Sequence, residues 1–96
     1  MFTRIVEITA KHGKTKEVAE TIQEKVLPIL KKQPGFVDEV VLVSTGETNR
    51  ILGMSFWNTP EDAERYRREH YPKVEELLQP LLETTPAGKL RILFSW

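Results

Sequence analysis

The sequence predicts a ferredoxin-like α+β domain of order βαββαβ, an antiparallel sheet with two helices on one face. Two observations predict it. Four segments show the alternation and β-branching of strands, two show apolar residues at helical spacing, and they follow one another in that order. The second is length: 96 residues are one domain's worth of chain, so residues 1–96 are read as a single domain.

Each element has a local cause. Phe2 to Thr9 alternates and is rich in β-branched residues, which makes a strand. Lys11-His12-Gly13-Lys14 is a polar connection. From Thr15 the apolar positions Val18, Ala19, Ile22, Val26, Ile29 and Leu30 recur at helical intervals. Pro28 should kink this helix or break its last turn near Val26-Leu27, and Pro34-Gly35 should stop it. Phe36 to Val43 and Arg50 to Trp57 read as two strands of a hairpin, joined by the turn-forming run 44–49. Thr59-Pro60-Glu61-Asp62 opens a helix, with Thr59 as cap and Pro60 at the first position. Its inward stripe is Ala63, Tyr66, His70, Val74, Leu77, Leu78 and Leu81, while Glu61/Arg65, Glu64/Arg68 and Glu69/Lys73 pair at i,i+4 outside. Pro72 and Pro80 should bend or segment this helix. Residues 84–88 form a loop, and Leu90 to Trp96 a last strand.

Composition excludes several classes of function. With 40% hydrophobic and 29% charged residues the chain is neither a disordered tail nor a membrane protein. Fourteen basic residues balance fourteen acidic ones, which gives nucleic acid or anionic lipid no electrostatic lure. Without Cys there is no disulfide scaffold or thiolate chemistry, and two His are a poor basis for a metal site. No glycine-rich dinucleotide turn or P-loop occurs, so no cofactor is expected. The N-terminus has no secretory or spanning segment, which points to the cytoplasm.

Both sheet faces want burial. Leu52, Met54 and Phe56 alternate with Ile51, Gly53, Ser55 and Trp57; Phe36, Val40 and Leu42 alternate with Val37, Val41 and Val43. A homodimer packed through the sheet face, closing a barrel-like core with helices outside, satisfies both, and by parity Val41 and Leu93 are expected on the partner's side. Arg4 and Glu7, on opposite faces of the first strand, would each need a partner such as Arg91, and a structural ion pair at that interface is expected for them.

Gly13 before the first helix, Leu27-Pro28, Gln33-Pro34-Gly35-Phe36 and Ser55-Phe56-Trp57-Asn58-Thr59-Pro60-Glu61 together resemble the antibiotic biosynthesis monooxygenase family. The resemblance spans essentially the whole chain and rests on turns, caps and buried strands. It implies a dimeric α/β barrel, and membership of a group that includes cofactor-independent oxygenases of phenols and quinols, haem-degrading enzymes, quorum-signal processors and members without assigned activity. The haem-degrading branch uses an Asn on the first strand and a Trp and a His on the second helix. Val6, Tyr66 and Glu76 stand at or near those positions here, so the resemblance disfavours haem degradation.

The implied activity is a cofactor-independent monooxygenase acting on a small phenolic or quinol substrate; the alternative is a non-catalytic or ligand-binding dimer of the same fold. His70 and Tyr66 are the candidate catalytic pair, His70 to remove a phenolic proton and Tyr66 to steady the anion. Trp57, Asn58 and Tyr71 are the candidate substrate-binding residues. Each also has a purely structural reading: a half-buried helix histidine, core aromatics and a turn asparagine.

Overall fold

The computed structural model describes residues 1–44, 46, 48–83 and 90–95, the last six through their backbone. β1 (Phe2–Thr9) leads into α1 (Thr15–Thr21), a π-helical stretch (Ile22–Val26) and α2 (Leu27–Lys31). β2 (Phe36–Val43) and β3 (Arg50–Trp57) follow as a hairpin. Then come α3 (Pro60–Glu69), α4 (Tyr71–Leu78), a 3-10 turn (Gln79–Leu81) and β4 (Leu90–Ser95). The sheet order is β2-β3-β1-β4, antiparallel at every pairing. This is the expected ferredoxin-like arrangement. The expected loop 84–88 and Trp96 lie outside the described residues.

The first helical segment changes its hydrogen-bond ladder where the irregularity is expected, the π stretch ending at Val26 and α2 beginning at Leu27. Pro28 has no N–H for the Glu24 carbonyl, and its ring crowds that oxygen. The turn before it widens into the π stretch, which accommodates the misfit. Ile22 and Val26 from that stretch and Leu30 from α2 are buried.

The second helical segment is divided where Tyr71-Pro72 begins. Pro72 lacks the N–H that would continue the ladder, and His70 leaves helical geometry at φ −125° and ψ −24°. Thr59 caps α3 as expected, its Oγ1 accepting from the Asp62 N–H at 3.2 Å. The surface ion pairs differ from the expected i,i+4 set: Asp62 pairs with Arg65 and Glu64 with Arg67, both at i,i+3. The break at His70 separates Glu69 from Lys73.

The core lies between the helices and one face of the sheet, which carries Arg4, Val6 and Ile8 of β1 and Ile51, Ser55 and Trp57 of β3. Simple parity fails in β2. Phe36 pairs with Trp57 but Asp38 with Phe56, so a bulge at Val37 resets the alternation. Phe36, Glu39 and Val41 therefore share the helix-facing side with Trp57, Ser55 and Gly53. Val41 packs against the core, contrary to its expected place on the partner's side. The open face carries Ile5, Glu7, Val40, Leu42, Leu52, Met54 and Phe56. Glu7 stands opposite Arg91 in the β1–β4 register.

Candidate functional site

A half-enclosed cavity of about 50 Å³ lies between the helices and the sheet. Its floor is Arg4, Val6 and Ile8 of β1, Glu39 of β2, and Gly53 and Ser55 of β3. Ile22, Val26 and Leu30 wall one side, and Tyr66, Tyr71, Val74 and Leu78 the other. Gly53 keeps the floor low: a methyl group there would sit 3.4 Å from Glu39 Oε1. The walls are mostly apolar, with a polar cluster at the floor and the α3–α4 junction.

Arg4 dominates that cluster. It is 5% exposed, and its Nη2 has no hydrogen-bond partner among the described residues. The guanidinium carbon lies 4.3 Å from the centre of the Tyr71 ring, a cation–π contact. No ion pair joins Arg4 to Glu39. Burial pushes the Glu39 carboxyl up to about 8, although Arg4 acts against the rise. Burial likewise pushes the Tyr71 phenol up to about 12 and the Tyr66 phenol further from its ordinary value, again with Arg4 opposing. Ser55 Oγ accepts from the Trp57 indole N–H at 2.9 Å, which leaves the serine's own O–H to donate elsewhere.

Of the residues expected from sequence, the structure brings Tyr66 and Tyr71 together at the cavity, their rings 6.1 Å apart. Trp57 is fully buried behind Tyr66, stacked on it at 5.2 Å with Phe36 edge-on at 5.5 Å. Asn58 is exposed at the entry to α3, its N–H bonded to the Gly35 carbonyl. His70 stands at the α3–α4 junction, half-buried, with its backbone N–H on the Tyr66 carbonyl, and is not among the residues lining the cavity. The cause is the Pro72 break, which takes residue 70 off the helical stripe that the spacing implied. Val6 and Tyr66 both line the cavity, and Glu76 is exposed.

Sequence reasoning missed Arg4 and Glu39. Arg4 is in the cavity rather than at a sheet interface, and the bulge at Val37 turns Glu39 inward. A buried-strand arginine without a local acidic neighbour was the available signal for the first. Nothing before the fold signals the second.

The site lies in a βαββαβ domain, between its helix layer and its sheet. The family model of the antibiotic biosynthesis monooxygenases matches residues 1–76, and the chain belongs to that family. Solved structures of the same fold include a monooxygenase from Streptomyces coelicolor in complex with nanaomycin D, 16% identical, with 96% of this chain and 82% of that one covered at a TM-score of 0.76. A protein from Nitrosomonas europaea, provisionally named an antibiotic biosynthesis monooxygenase, is 17% identical, with 99% and 86% covered and a TM-score of 0.77. A protein from Shewanella oneidensis is 12% identical, with 99% and 87% covered and a TM-score of 0.74. No curated protein matches the sequence. Among the described residues no helix is long and apolar enough to cross a membrane, and no group of three or more His, Cys, Asp or Glu is placed to hold a metal ion.

Proposed function

We propose that the protein is a cytoplasmic, homodimeric monooxygenase that works without flavin, haem or metal on a small phenolic or quinol substrate held in the helix–sheet cavity. The observation that carries this reading is the convergence of Arg4, Glu39, Ser55, Tyr66 and Tyr71 on one apolar cavity in a chain of this family. The substrate supplies both electrons that reduce one oxygen atom of O₂ to water, so the protein has to deprotonate it, hold it and exclude solvent. Glu39, with a carboxyl raised to about 8, exchanges a proton near neutral pH and takes the part that the sequence suggested for His70. Tyr66 and Tyr71 contact the ring, Trp57 holds Tyr66 in place from behind, and Asn58 ties the end of β3 to Gly35. The present 50 Å³ admits the oxygen-bearing end of the substrate. A whole benzene-sized ring needs about 150 Å³, so the apolar wall gives way as it enters.

Oxygen uptake with a panel of quinols tests the reading. With an active quinol, Glu39→Gln should lower turnover by about 10²-fold, the usual worth of a general base. His70→Ala should leave turnover per folded dimer nearly unchanged. No oxygen uptake across the panel, with saturable ligand binding by Trp fluorescence, would favour the non-catalytic ligand-binding dimer instead.

A further inference from the structure

Arg4 is a buried cation whose immediate surroundings leave it incompletely answered. An uncompensated guanidinium in an apolar site is costly, and such groups are ordinarily paired or hydrogen-bonded. Here its Nη2 is closed off from water without a partner among the described residues, and the Arg4 side chain lines the cavity. The other polar groups there are neutral hydroxyls that can donate to a ligand: Ser55, which accepts from the Trp57 N–H, and the Tyr66 and Tyr71 phenols. Glu39 is the exception in kind, yet no ion pair joins it to Arg4. The cavity offers several donors, and Arg4 gives it a fixed positive charge.

We infer that this cavity is a receptor for an organic oxyanion, a phenolate, enolate or carboxylate on an apolar body, with the charged oxygen seated against the Arg4 guanidinium. The volume suits this division: about 50 Å³ takes the oxygen-bearing head, and the apolar walls of Val6, Val26, Val74 and Leu78 meet the carbon skeleton. A charge-assisted bond from guanidinium to oxyanion in a dry site is among the stronger polar contacts available, and its planar edge favours a planar anion. Arg4 then discriminates in favour of ionised ligands, and stabilises the anion that the proposed reaction must form. The inference rests on the cavity being the ligand site, and not on oxygen chemistry.

The test uses the full-length protein and two probe pairs of similar shape: 4-nitrophenol against 4-nitroanisole, and benzoate against benzamide. The ionised member of each pair should bind at least about tenfold tighter, measured by calorimetry or Trp quenching, since one charge-assisted hydrogen bond is worth about that much. The visible band of 4-nitrophenolate should show the bound phenol ionising at lower pH than the free one. Arg4→Met should remove both effects and Arg4→Lys retain part of them, with melting temperatures near that of the unmodified protein, because an unpaired buried charge contributes little to stability. A preference for phenolate alone or benzoate alone would narrow the ligand class and uphold the receptor. Equal binding of anion and neutral isostere, or an anion preference that survives Arg4→Met, would overturn the proposal. The comparison on the unmodified protein decides it even if the Met variant fails to fold. Anion binding without oxygen uptake would sink the monooxygenase reading and leave this one standing; quinol turnover without anion preference would do the reverse.

Discussion

Glu39 shows how one residue's side of a strand decides its chemistry. On the open face it would be an ordinary surface carboxylate; on the helix-facing side, beside Ser55 and over Gly53, its carboxyl is raised from 4.5 to about 8. The folded state therefore holds the Glu39 proton more tightly than the unfolded chain does. Its contribution to stability is fully present below about pH 4.5 and is lost as pH rises through about 8. Urea unfolding between pH 5 and 9 should show this fall in the unmodified protein, and Glu39→Gln, which carries no titrating proton, should flatten it. Parallel profiles would mean that Glu39 ionises in the folded protein as it does in water. Arg4 acts in the opposite sense on the same group, so Arg4→Met should raise the Glu39 midpoint further. Neither residue announces this coupling in the sequence: Arg4 and Glu39 are 35 positions apart and meet only because β2 and β1 flank β3.

At the scale of elements, much was legible because local chemistry decides local geometry. The bounds of β1, β2 and β3 follow alternation and β-branching, and Thr59 caps α3 through a bond its neighbours make almost unavoidable. Thr59→Ala should cost about 1 kcal/mol of stability, read as a lower urea midpoint at unchanged slope, because the Asp62 N–H loses its acceptor. An unchanged midpoint would show that water replaces the cap without loss. What was not legible arises from competition between elements. Pro28 and Pro72 mark where a helix is in difficulty but not how it yields: the first widens the preceding turn into a π stretch, the second divides the helix at His70. The bulge at Val37 is likewise invisible to period-2 counting, yet it moves Val41 into the core-facing row and Glu39 into the cavity. Helical spacing puts Tyr66 on the inward stripe with Tyr71 beside it, and both line the cavity. The same spacing puts His70 on the stripe by assuming an unbroken helix, whereas it stands at the α3–α4 junction and does not line the cavity.

At the scale of the molecule, the question is what covers the second sheet face. The helices occupy one side only, and the other presents Ile5, Val40, Leu42, Leu52, Met54 and Phe56, with Leu42 at 50% exposure in a single chain. A contiguous apolar face of this kind is uncommon on a monomer, and a second copy meeting it sheet to sheet removes it from water. Light scattering should accordingly give a mass near twice the 11.1 kDa of one chain. Two substitutions one residue apart separate this contact from the core. Leu42→Asp should yield a folded monomer, because a side chain already half exposed in the single chain costs the protomer little. Val41→Asp should unfold or strongly destabilise the chain, because Val41 packs against the buried core and a carboxylate there would lack a partner. The sequence alone, reading strict alternation, expected Val41→Asp to break the dimer; the bulge at Val37 reverses the assignment. A mass of one chain for the unmodified protein would end the sheet-face dimer, whereas dissociation by Val41→Asp with the fold intact would show that the faces of β2 are assigned the wrong way round.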